Sequence, residues 1–157
     1  MSGFPGLALK TDWNKASDRD WVSVLAGLPL FEGVGKRGLR RIVREAEFAE
    51  FNPDDTVVAV GAPPNFFYVI LSGEARAWAR PAAHVLTTGD YFGEMGLLDG
   101  APRSATVAAL GELHVMRIGR RAFDDAIDRN PVLARRFLTE LGGRVRQLER
   151  QAARRTA

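Results

Sequence analysis

The chain has 157 residues, 46% of them hydrophobic, with no cysteine and a formal net charge of +3. That supports one domain around one core and excludes disulfides and thiolate chemistry, and no apolar run approaches the ~18 residues of a membrane-spanning helix. The basicity is local: residues 144–157 hold five arginines and one glutamate, whereas the rest of the chain holds 17 basic and 18 acidic side chains.

Residues 1–17, rich in Gly, Ser, Lys and Asp, read as a mobile arm without the basic-then-apolar layout of a signal peptide, and a cysteine-free chain suits a reducing cytoplasm. From Asp18 the pattern turns helical, with Asp18 or Asp20 as cap and Trp21, Val24 and Leu25 as the apolar stripe. Leu28, Pro29, Leu30 and Phe31 close that helix and open another element. A second short helix is expected over 38–46, with Leu39, Ile42 and Val43 inward and Arg40, Arg41 and Arg44 in solvent. The period then changes to two. Short strands are expected at 48–51, 56–60, 66–71, 75–79 and 84–87, and again at 104–109 and 113–118. Strands this short and numerous argue a closed or rolled β structure.

Residues 91–107 carry the chemistry. An aromatic pair enters Gly93, then come Glu94 and one apolar turn of Met95, Leu97 and Leu98; a glycine and a proline break it before Arg103. The start of such a turn leaves backbone N–H groups unpaired and positive. Arg103 returns nine residues after Glu94 with a planar fork that matches two phosphate oxygens. Glu94 repels a phosphate but accepts from a hydroxyl. Together they describe a site for a sugar carrying a single phosphate. An ordinary surface ion pair is the plain alternative.

The run Phe-Gly-Glu-x-x-Leu-Leu-x-x-x-x-Arg-Ser-Ala-x-Val resembles the phosphate-binding cassette of cyclic-nucleotide-binding domains, found in cyclic AMP-dependent kinase regulatory subunits, catabolite-activator-type transcription factors and cyclic-nucleotide-gated channels. Tyr68 to Gly73 also resembles that family's central strand and its turn glycine. The resemblance implies an α+β fold: an eight-stranded antiparallel β-roll, jelly-roll-like, flanked by N-terminal helices and two C-terminal helices, with a short cassette helix. It implies that Glu94 accepts from the ribose 2′-hydroxyl and Arg103 pairs with the exocyclic phosphate oxygens. The amides of Gly93, Met95 and Ala105 would complete the cradle, and Ser104 would give a hydroxyl to the phosphate or touch the base. The ligand implied is cyclic AMP, with cyclic GMP as the alternative, since a threonine after the arginine often serves cyclic GMP and Ser104 is a weaker version of it. Two departures stand out. Pro53-Asp54 replaces the family's usual Pro-Gly, so that turn is expected to be type I or strained. The hairpin around Pro81, Ala82 and Ala83 is short and resembles that of some bacterial channel domains.

The C-terminal third reads as a helix over 120–129, with Phe123, Ala126 and Ile127 apolar, and a second one started by Asn130-Pro131. In the latter, Leu138, Leu141, Val145, Leu148 and Ala152 form a seam of about two heptads that either pairs with a second copy or packs on the roll. Gly142 and Gly143 are expected to interrupt the helix, at a cost of about 2 kcal/mol relative to alanines, for a close backbone approach or a bend. In the family this helix closes over the base. Arg144 lies near where some members place an arginine on the purine, and otherwise faces solvent with its neighbours.

The domain organisation expected is an arm at 1–17, a binding roll with its helices at 18–130, and a lid or dimerisation helix with a basic tail at 131–157. His84 and His114 have no partner at metal-ligand spacing, and no catalytic arrangement is legible, so neither an enzyme nor a metal site is expected. After the terminal helix too few residues remain for a DNA-reading helix-turn-helix, and Met1 with the arm favours a free-standing protein acting on an unknown downstream partner. Two rival readings are a folded module that no longer binds and serves dimerisation, and a weak nucleic-acid binder working through the basic tail.

Overall fold

In a computed structural model, residues 16–79 and 82–156 are described. The arm expected at 1–17 lies almost wholly outside them, as does Pro81.

Helix α1 (Asp18–Ala26) begins on a residue the sequence reading missed. Ser17, not Asp18 or Asp20, is the N-cap: its hydroxyl accepts from the Asp20 amide at 3.3 Å, and the Asp20 carboxylate accepts from the Ser17 amide at 2.9 Å. This reciprocal box satisfies two orphan donors at once, and the Ser17 amide holds the Asp20 carboxyl below the usual carboxylate range. A 3₁₀ turn (Pro29–Phe31) follows, then α2 (Lys36–Glu45), which starts two residues earlier than expected because Gly35 is its N-cap.

Eight strands follow: β1 (Glu47–Phe51), β2 (Thr56–Val58), β3 (Phe66–Ser72), β4 (Ala75–Ala79), β5 (Ala82–Leu86), β6 (Tyr91–Phe92), β7 (Thr106–Ala109) and β8 (Leu113–Gly119). They form two antiparallel sheets, ordered β1-β8-β3-β6 and β2-β7-β4-β5, the β-roll expected. β2 and β7 are shorter than the sequence runs, because their pairing slips by a residue between Thr56 and Val58. β5 begins earlier than expected, since Ala79 and Ala82 are already paired.

Strands β3 and β8 are buried on both faces. Tyr68, Ile70, Leu113 and Val115 point into the roll with Ala75, Ala77, Phe92 and Val107. Phe67, Val69, Leu71, Met116 and Ile118 point outward onto a second core built by α1, α2 and the C-terminal helices. That two-sided burial explains why both runs are nearly continuous in apolar residues rather than alternating.

Two turns reveal local conformation. Asp54 adopts φ 71°, the only positive φ outside glycine among the described residues, and Asp55 donates to the Asn52 carbonyl at 3.1 Å. The strained alternative therefore holds at Pro53-Asp54, and aspartate is among the residues that tolerate it best. Gly73, at φ +90°, leaves space for only a hydrogen: a Cβ there would lie 2.3 Å from the Glu112 carbonyl oxygen.

After the short helix α3 (Glu94–Asp99) between β6 and β7, the chain ends in α4 (Arg120–Arg129) and α5 (Pro131–Thr156). α5 corrects the expected interruption. It runs for 26 residues straight through Gly142 and Gly143, and a Cβ on either would meet nothing within 4 Å. Helical hydrogen bonding tolerates glycine at a modest entropic cost, so close backbone approach does not account for the pair. The two halves of α5 differ. Leu133 and Phe137 are buried, with Phe137 edge-on to Phe67 and Tyr91 at 5.6 and 5.3 Å, and Arg136 donates to the Leu30 and Glu32 carbonyls at 2.7 and 2.8 Å. Of the seam, Leu138, Val145 and Leu148 are 68, 54 and 62% exposed and Ala152 is exposed, so these four do not pack on the roll, whereas Leu141 is half-buried.

Candidate functional site

The site forms where β6 leads into α3. Gly93 caps that helix in the left-handed conformation, φ 92°, with no side-chain cap bond. A Cβ at Gly93 would lie 2.7 Å from Arg103 Nη1 and 2.8 Å from the Phe66 carbonyl oxygen, so glycine is required by both φ and space. At its other end α3 stops on Gly100, also left-handed, whose amide donates to the Gly96 carbonyl at 2.9 Å. Arg120 at the start of α4 donates to the Leu97 carbonyl at 3.2 Å, bracing the negative end of the same helix.

Arg103 returns beneath this turn. Its backbone is clamped to the loop before β3: its amide donates to the Ala62 carbonyl at 2.9 Å, and its carbonyl accepts from Gly61 at 2.8 Å. Its side chain is only 7% exposed. Nη1 donates to the Gly93 carbonyl at 3.0 Å, Nη2 donates to the Phe66 carbonyl, and the guanidinium carbon sits 6.0 Å from the Tyr68 ring centroid. Burial pushes its pKa below the ordinary arginine value, while Tyr68 and the Glu94 carboxylate pull the other way. A guanidinium presents five donors in a fixed fork, so two carbonyls leave it under-used.

Glu94, the first residue of α3, is 4% exposed. Its Oε1 lies 3.0 Å from Nη1 of Arg144, which reaches over from α5 with its own side chain 51% exposed. Beside this pair opens a cleft of about 840 Å³ between the 3₁₀ turn, the His84 to Tyr91 segment and α5. Arg144 lines the cleft; Glu94 and Arg103 do not. Within it, burial pushes the Glu140 carboxyl above its usual value, with Arg144 opposing and Asp90 adding to the shift.

Of the residues singled out from sequence, Gly93, Glu94 and Arg103 come together, and Arg144 joins them through Glu94. Met95 presents its side chain to solvent, Ser104 is exposed, and Ala105 is half-buried. The sequence reading missed the Phe66 carbonyl and the Tyr68 ring. A carbonyl acceptor leaves no trace in residue identity; Tyr68 left a faint one, as the single hydroxylated aromatic in an otherwise apolar strand core. His114 lies 2.8 Å from a Glu50 carboxylate oxygen, and among the described residues no cluster of three His, Cys, Asp or Glu forms that would hold a metal ion.

Comparison with known proteins bears on this geometry. The profile of the cyclic nucleotide-binding domain matches residues 48–130. A cAMP-dependent protein kinase regulatory subunit of Hypocrea atroviridis is 34% identical over 110 residues, covering 69% of this chain and 24% of that protein. The chain spans about a quarter of the length of the curated relatives it matches. Two solved structures share the fold. The sensor domain of the transcriptional regulator DNR from Pseudomonas aeruginosa superposes with TM-score 0.73 at 22% identity, over 83% of this chain and 91% of that one. The regulatory subunit of a cAMP-independent protein kinase A from Trypanosoma brucei superposes with TM-score 0.72 at 21% identity, over 79% and 46%. Because the profile takes in more than half of the residues, including the whole turn around Glu94 and Arg103, the chain belongs to the cyclic nucleotide-binding domain family.

Proposed function

We propose that this chain is a sensor of a 3′,5′-cyclic nucleotide, cyclic AMP ahead of cyclic GMP, which couples ligand binding to movement of α5. The observation that carries this reading is Arg103: a buried cation whose hydrogen bonds go to two backbone carbonyls rather than to a carboxylate. Leaving a charge so buried is expensive, and an entering anion offsets that expense. A cyclic phosphate is a monoanion with two free oxygens, the match for a guanidinium fork. Glu94 then accepts from the ribose 2′-hydroxyl, the amides of Gly93, Met95 and Ala105 complete the cradle, and the Ser104 hydroxyl is at hand for phosphate or base. Cyclic AMP is preferred because the curated relatives are named for it and because Ser104 is not threonine.

In this reading residues 18–130 bind and 131–157 respond. Motion of α3 is relayed through the Arg120 bond to α4 and onward to α5. The seam of Leu138, Leu141, Val145, Leu148 and Ala152, exposed except at the half-buried Leu141, fits pairing with a second copy of the chain as a coiled coil. A downstream protein reads the outcome.

Calorimetric titration of the purified chain with cyclic AMP and cyclic GMP, with sedimentation of the same samples, tests the proposal. Saturable one-to-one binding, tighter for cyclic AMP, is expected. A folded chain that takes up neither nucleotide at millimolar concentration leaves the non-binding interaction module as the better account. Affinity for any nucleic acid that collapses with added salt would favour the basic tail instead.

A further inference from the structure

We infer that Arg144 is an internal competitor for the carboxylate of Glu94, so that the protein occupies its own sugar-binding group until ligand displaces it. The inference rests on the reading of Glu94 as the ribose acceptor given above.

Three observations support it. First, Glu94 retains 4% exposure with Arg144 seated 3.0 Å away, which leaves its carboxylate almost no surface for a hydroxyl to approach. Arg144 also lines the cleft, whereas Glu94 does not. Second, the pair is lopsided. The acid is buried and fixed at the start of a helix, whereas the base is half-exposed on a long side chain. Solvent and counterions readily take over the arginine when it leaves, while the acid, left alone, must find another donor. A ribose hydroxyl is such a donor, and it carries no charge of its own.

Third, the distal half of α5 is held by little else. The proximal half is anchored by Leu133, Phe137 and the two carbonyl bonds of Arg136. Beyond Gly143, among the described residues, the pair of Arg144 and Glu94 is the one hydrogen bond or ion pair that ties α5 to the roll. Gly142 and Gly143, with nothing packed against them, sit immediately before Arg144. Glycine in an unpacked helix segment is where a bend is cheapest. Ligand entry and release of the α5 tail are therefore one exchange reaction at Glu94. The apparent affinity is lower than the intrinsic one by the fraction of molecules in which the arginine has swung away.

The test is titration of the Arg144→Ala variant of the 157-residue chain beside the wild type with cyclic AMP, with amide hydrogen exchange over 144–156 as a second readout. The substitution leaves the buried Glu94 carboxylate without its arginine, so the ligand-free variant is expected to melt below wild type and to recover part of the difference when cyclic AMP is bound. Removing the competitor is expected to tighten binding by about two- to five-fold, the range set by a partly solvated ion pair. Exchange in the ligand-free variant is expected to match that of the ligand-bound wild type. Affinity equal to wild type, or exchange unchanged, overturns the inference, and weaker binding would place Arg144 on the ligand instead. If neither protein binds, the sensor reading itself has failed, an outcome distinct from one in which both bind alike.

Discussion

Arg103→Ala is expected to remove cyclic-nucleotide binding, lowering affinity by roughly thirty-fold or more. Deleting one member of a desolvated charge pair costs ~2–5 kcal/mol, because the partner stays buried without compensation; here that partner is the ligand phosphate. The fold is affected less. Two carbonyls, of Gly93 and Phe66, lose their donor, a loss worth ~1–3 kcal/mol if water does not replace it. Against it, the variant no longer holds a cation away from water. Arg103→Lys separates charge from geometry. The ammonium keeps the charge but not the fork, so it is expected to bind more weakly than wild type and better than alanine. Titration paired with thermal melting reads both effects. An alanine variant that binds like the parent would remove Arg103 from the site.

Gly93→Ala is expected to damage fold and binding together. An alanine at φ 92° pays ~1–2 kcal/mol for the left-handed backbone alone. Its Cβ would also meet Arg103 Nη1 at 2.7 Å and the Phe66 carbonyl oxygen at 2.8 Å. The guanidinium is able to swing away, but the strand carbonyl is fixed in β3, so the easiest relief displaces Arg103 from its bonds. Gly100→Ala is the matched control: φ is 72° and nothing lies within 4 Å of the added methyl. It bears the conformational penalty only. The difference between the two variants, by chemical denaturation and by ligand titration, isolates the packing around Arg103; equal losses would mean that packing is unimportant.

How much of this was legible in the sequence depends on the length scale of each interaction. The roll could be read because alternation and turn residues are local, and β3 and β8 stood out as continuous apolar runs because helices cover their outer face. Glu94, Arg103 and Gly93 were legible because a tight turn fixes which residue types fit at which spacing. Where two local signals competed, the reading erred. Ser17 lost to the acidic residues after it although it opens a capping box, and the glycine pair in α5 was read as a break although a helix accommodates it. The conformation of Asp54 was left between two alternatives, since aspartate suits a type I corner and also visits the left-handed region more readily than most residues. What stayed hidden is long-range. The Phe66 carbonyl under Arg103 and the hold of Arg144 on Glu94 join segments 37 and 50 residues apart, and only the folded chain brings them together.

The most direct measurement is the crystal structure of the chain grown with cyclic AMP. The account predicts the exocyclic phosphate oxygens within hydrogen-bond reach of the Arg103 guanidinium, the 2′-hydroxyl on Glu94, and Arg144 withdrawn from that carboxylate. A nucleotide seated in the cleft between the 3₁₀ turn and α5, with Arg103 still bonded only to the Gly93 and Phe66 carbonyls, would contradict it.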